Sequence, residues 1–119
     1  MPQNNIYLPF VNVATGYSVA ALTDSNKVLA TGSGLYSRLN ITAATLVKTG
    51  AGRIAKVNVT TAGSTTGAVY DTTATGSIAA ANLVAVIPNT VGSYSLDFPV
   101  TSGMVVVTGT GQVVSISYV

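Results

Sequence analysis

Three aspartates (Asp24, Asp71 and Asp97), five cations (Lys27, Arg38, Lys48, Arg53 and Lys56) and scattered serines are the main chemical groups in this chain of 119 residues. It contains no histidine and no cysteine, so the commonest general base, the soft metal ligands, thiolate chemistry and a disulfide framework are all missing. Two of the aspartates could start a calcium site, but calcium takes about six to eight oxygen ligands. Three solvated or turn-capping aspartates are the better reading. No Gly-x-Ser-x-Gly elbow surrounds any serine, and a Ser-His-Asp triad has no histidine to use. Only a Ser–Lys dyad stays formally open. The expectation is no enzymatic activity, no cofactor and no metal.

Lys48-Thr49-Gly50-Ala51-Gly52-Arg53 sets backbone N–H groups between two cations, as a phosphate loop does. It lacks the Gly-x-x-x-x-Gly-Lys-Ser/Thr spacing and no helical pattern follows, so a hairpin turn is expected instead. The basic residues are too few, and too poor in interleaved aromatics, to build a nucleic-acid platform. Of the six tyrosines, Tyr94 and Tyr118 fall on apolar faces and are expected in the core. Tyr36 and Tyr70 are open to interface or sugar-stacking roles as well as to packing.

The elements that would position these groups show alternation with period two. In Ser93-Tyr94-Ser95-Leu96-Asp97-Phe98 the even positions are apolar, and Val114, Ile116 and Tyr118 alternate with Ser115 and Ser117. Alternate side chains of a strand point to opposite faces, so each segment has one core face and one outward face. Glycine-rich turns fall at 49–52, 62–64, 101–103 and 108–111, with Pro88-Asn89-Thr90-Val91-Gly92 as another. Valine and threonine, the commonest residues, favour strands. The sequence therefore predicts an all-β fold, a β-sandwich or jelly-roll-like single domain over 46–119. Residues 1–45 are less regular and are expected as an N-terminal arm with irregular strands. A strand is expected around 68–70 within the biased stretch 60–77. The only helical turn expected lies at 77–82.

Charged residues make up 7% of the chain, against about 25% in an ordinary soluble domain. The polar surface must come from Thr, Ser, Asn and Gly, which cost less to desolvate than ions. Such a surface suits burial against neighbouring copies, and a homo-oligomer is expected. Charge is uneven along the chain: residues 1–56 carry a formal +4 and residues 57–119 carry −2. No basic region followed by an apolar stretch marks the N-terminus as a secretory signal. Mean hydropathy is +0.53, yet the run at 83–87 ends at Pro88, far short of the roughly 18 residues that span a bilayer.

From Thr45 onward the chain resembles small virion proteins encoded among the head genes of tailed bacteriophages. The likeness rests on Val47-Lys48-Thr49-Gly50-Ala51-Gly52-Arg53, on Val59-Thr60-Thr61-Ala62-Gly63-Ser64 and on Tyr70-Asp71. It continues through Ala80-Ala81-Asn82, Ile87-Pro88-Asn89-Thr90-Val91-Gly92, and a last element running from Gly103 through Val105-Val106-Val107 to Gly109-Thr110-Gly111-Gln112-Val113-Val114-Ser115. The resemblance implies a capsid decoration or cement protein, synthesised in the host cytoplasm and seated on the outer surface of the virion. It also implies a homotrimer or homodimer that clamps the major capsid protein, with no nucleic-acid or membrane partner. A carbohydrate- or host-recognition β module of a phage fibre or tail is the alternative, weakened by the absence of Trp and the presence of only two Phe. The concentration of cations in the first 56 residues makes Arg38, Lys48, Arg53 and Lys56 the expected capsid contacts, with residues 1–45 laid over the shell.

Overall fold

The computed structural model describes residues 33–119. Eight strands follow one another: β1 (Tyr36–Ile41), β2 (Thr45–Thr49), β3 (Gly52–Thr61), β4 (Gly67–Tyr70), β5 (Leu83–Ile87), β6 (Gly92–Val100), β7 (Gly103–Val107) and β8 (Val113–Tyr118). They form two four-stranded sheets, in the orders β1-β8-β3-β6 and β2-β7-β4-β5, and every ladder is antiparallel. First pairs with last, second with seventh, third with sixth and fourth with fifth, as when a long double ribbon rolls up on itself. This is the jelly-roll arrangement, within the all-β class that the alternation predicts.

The turns behave differently from expectation. The turn at 49–52 was expected to close a hairpin, but β2 pairs with β7 while β3 pairs with β6 and β8. The connections at 62–66, 88–91, 101–102 and 108–112 likewise carry the chain from one sheet to the other. Only β4 and β5 are both sequence neighbours and hydrogen-bonded partners. A short glycine turn spans the roughly 10 Å between packed sheets as readily as the roughly 4.8 Å between strands, so turn composition does not distinguish the two. Gly50 (φ 86) and Gly111 (φ 75) supply the positive φ that two of these turns need.

Most of the stretch 1–45, expected as an N-terminal arm with irregular strands, precedes the first described residue. Residues 1–32, including Asp24 and Lys27, lie outside the described residues. β1, expected among the irregular strands, is an edge of the first sheet and pairs with β8 from Tyr36↔Tyr118 to Ile41↔Val114. Residues 33–119 belong to one compact unit. The helical turn expected at 77–82 is two 3-10 turns, Thr75–Ser77 and Ala80–Asn82, separated by extended Ala79 (φ −153, ψ 159).

The core is built by the alternation. Ile54, Val57 and Val59 of β3 and Val114 and Ile116 of β8 meet Val69 of β4, Ile87 of β5, and Met104 and Val106 of β7. Each such side chain contributes about 1.5–3 kcal/mol when withdrawn from water. Tyr94 and Tyr118 pack against this cluster as expected.

All four edge strands carry a bulge. One extra residue is accommodated in β1 between Arg38 and Ile41, in β2 at Val47, in β5 at Val84 and in β6 between Ser95 and Phe98. Val47 and Val84 turn onto the core as a result. Asn40 (φ 55) and Asp97 (φ 46), the non-glycine residues with positive φ among those described, sit in the β1 and β6 bulges. Bulges bend an edge and interrupt its row of free N–H and C=O groups, which blunts edge-to-edge pairing.

Candidate interaction faces

Strand register lays out two unlike outward faces. Across the first sheet, Ser37, Ser117, Lys56 and Ser95 lie side by side on β1, β8, β3 and β6. A second row holds Ser115, Asn58 and Ser93. Serine hydroxyls partly serve the backbone here: Lys56 N–H donates to Ser117 Oγ at 3.2 Å, and Asn40 N–H to Ser115 Oγ at 3.4 Å. This face is hydroxyl-rich.

The corresponding rows of the second sheet contain no charge. Leu46, Val105, Tyr70 and Leu83 cross β2, β7, β4 and β5, and Val107, Ala68 and Val86 form the next row. Val105 is fully buried, whereas Leu83 is 43% and Val86 56% exposed, so the open part of the face lies over β4 and β5. A shallow depression of about 260 Å³ there is lined by Gly67, Ala68, Tyr70, Leu83, Val86 and Val107, with Thr66 at its margin. Tyr70 is thus placed on an outward face rather than in the core.

The four cations expected to act together are dispersed. Arg53 and Lys56 both belong to β3, Arg38 is exposed on edge strand β1, and Lys48 belongs to the other sheet. Arg53 is already engaged: its guanidinium lies 3.0 Å from Asp97 Oδ1 and donates to the Asp97 carbonyl at 3.3 Å. The positive and negative halves of the sequence are interleaved, because β3 lies between β8 and β6.

The described aspartates do structural work. Asp71 accepts hydrogen bonds from the N–H groups of Thr101 (3.0 Å), Ser102 (2.8 Å) and Gly103 (3.2 Å), and from Thr101 Oγ1 (3.2 Å). Partial burial alone would raise its pKa, but these donors outweigh that and hold the carboxyl below its ordinary 3.8. At the other end of β4, buried Gln112 joins two loops. Its Nε2 donates to Pro88 O at 2.8 Å, and its Oε1 accepts from Gly109 N–H at 3.0 Å. Among the described residues, no group of three or more His, Cys, Asp or Glu could hold a metal ion, and no helix is long and apolar enough to cross a membrane.

The sequence exposed one of these faces and hid the other. Serines at 93, 95, 115 and 117 alternate with apolar residues and mark the hydroxyl rows directly. The runs Leu83–Ile87 and Gly103–Val107 lack alternation, and a continuous apolar run is the signal of a strand apolar on both sides. Compared with protein-family models, curated proteins and solved structures, the chain matches none.

Proposed function

We propose that this protein is a non-enzymatic structural protein of a bacteriophage virion, decorating and stabilising the outer capsid surface. Its partners are the major capsid protein and further copies of itself, as homotrimer or homodimer. The observation that carries the reading is the pair of unlike sheet faces on one small sandwich: hydroxyl rows with Lys56 on one sheet, uncharged apolar rows on the other. A two-faced plate suits a protein that lies between a shell and its own neighbours. The resemblance of its turn-and-strand segments to phage head proteins supplies the setting.

In this reading the hydroxyl face meets the shell. Lys56 and Arg53 pair with shell carboxylates or carbonyls, and Arg53 exchanges Asp97 for a better-desolvated partner. Binding only to the assembled shell stabilises that state by mass action. The test is cryo-EM of shells mixed with the purified protein, alongside their thermal disruption. Regular symmetric density on the shell and a raised disruption temperature are expected. Bare shells with unchanged disruption temperature would sink the reading, and a protein found instead on fibres or tails would favour sugar or host recognition.

A further inference from the structure

We infer that Tyr36 and Tyr118 form an oxidative cross-linking site, where one-electron oxidation with peroxide as the electron acceptor joins the two rings as dityrosine. The bond forms within one copy and staples β1 to β8. This chemistry is independent of what the outward faces meet, so it does not rest on the shell-binding reading above.

The ladder places the pair. Tyr36 and Tyr118 are directly opposite partners on antiparallel β1 and β8, a position that sets Cβ atoms about 4.5–5.5 Å apart. Their ring centroids lie 5.8 Å apart, with the planes inclined at 39°. Tyr36 is 59% exposed, while Tyr118 is partly buried against the core. One ring is therefore open to an oxidant and able to turn, and its partner is held in place. The other described tyrosines are set apart. Tyr70 belongs to the second sheet, and Tyr94 lies on β6 with β3 between it and β8. The Tyr94 hydroxyl is also tied to Thr90, donating to its carbonyl at 3.0 Å.

Composition directs oxidation to these rings. The chain has no cysteine and no tryptophan, so no thiol or indole intercepts the oxidising equivalent. Of the two methionines, Met104 is fully buried.

Each phenol gives up one electron and its hydroxyl proton, leaving two neutral phenoxyl radicals. Their unpaired density reaches the ring carbons beside the C–O bond, and one such carbon from each ring joins in a new C–C bond. The hydrogens on those carbons move to the oxygens and restore both phenols. One peroxide molecule accepts the two electrons and two protons and leaves as two waters. A separation of 5.8 Å is that of an ordinary non-covalent ring pair, so rotation of the exposed Tyr36 ring must close the remainder. The new bond closes a loop of chain that contains every strand between β1 and β8. A cross-link over so long a loop stabilises chiefly by restricting the unfolded chain.

Treating the dilute full chain with hydrogen peroxide and a haem peroxidase tests this. Wild type is expected to gain blue dityrosine fluorescence, to lose the mass of two hydrogens and to run as a monomer on a denaturing gel. Its digest is expected to contain one peptide pair, joined through Tyr36 and Tyr118. Tyr36→Phe and Tyr118→Phe are expected to lose the monomeric product, whereas Tyr70→Phe and Tyr94→Phe keep it. Circular dichroism before oxidation checks that each variant folds, and the wild-type digest identifies the bond whether or not they do. The coupled protein is expected to unfold roughly 10 °C higher than the untreated one. No coupling, dityrosine only between copies, or a monomeric product joining other tyrosines would overturn the site. An unshifted unfolding temperature would overturn the staple.

Discussion

Ser102 donates its backbone N–H to Asp71 Oδ1 at 2.8 Å, joining residues 31 apart in sequence and fastening the β6–β7 turn to the end of β4. Thr101 and Gly103 donate to the same carboxylate, so three consecutive N–H groups converge on one side chain. The crossing between sheets is held by a charge-assisted cluster rather than by hairpin geometry.

Replacing that side chain gives the first prediction. Asp71→Ala is expected to cost about 2 kcal/mol and Asp71→Asn about half as much, measured by urea unfolding at pH 7. The pH dependence has a definite sign. The folded pKa lies below the unfolded one, so the contribution is complete above about pH 5. It shrinks as pH falls through the ordinary value of 3.8 and vanishes beneath the folded pKa. The gap between wild type and Asp71→Asn should therefore close in acid. A gap that stays constant from pH 7 down through this range would contradict the clamp.

At the opposite end of β4, Gln112→Ala leaves the Gly109 N–H and the Pro88 carbonyl without their side-chain partner. A loss of about 2–4 kcal/mol is expected. Gly109→Ala should do comparable damage by another route, because an added Cβ meets the carbonyl of Thr65. Chemical denaturation of both variants checks this, and a loss under half a kilocalorie in either would refute the packing of these loops.

Asp97 tests the bulge in β6. Its φ of 46° is costly for a β-branched residue and free for glycine. Asp97→Val is expected to be about 1–2 kcal/mol less stable than Asp97→Gly. Both variants lose the exposed ion pair to Arg53, so their difference reads the backbone alone. Equal stabilities would show that the bulge relaxes freely.

If the hydroxyl face meets the shell, Lys56→Glu should weaken shell binding about tenfold in low salt, and the wild-type affinity should fall as salt rises. Lys56 gives the cleaner measurement, because changing Arg53 also releases Asp97. Binding that ignores both the substitution and the salt would move the docking surface elsewhere.

Strand identity was largely legible, because period-two runs such as 93–98 and 113–118 have one side that must be buried. Partnership was not. The segment 48–53 carries the same glycine signals whether its flanking strands pair with each other or cross between sheets. The hydroxyl face could be read from Ser93, Ser95, Ser115 and Ser117. The apolar face escaped notice because 103–107 looks the same whether its second side is covered by its own fold or left open. Asp71 drew attention as a possible ligand, whereas its role depends on N–H groups some thirty residues away, which no local pattern reveals.

The pairing of first strand with last has a consequence for how the chain acquires its structure. β1 finds its ladder partner only when β8 exists, and β8 is also what joins β1 to β3. On the nascent chain, β1 and one side of β3 stay unpaired until residues 113–118 have left the ribosome, whereas the second sheet has all its strands once β7 is made. Joining β1 to the sheet then requires closing a long loop, which is slow and exposes sticky intermediates. The first sheet is expected to close only after synthesis of β8, and a chain stopped before β8 cannot complete the sandwich.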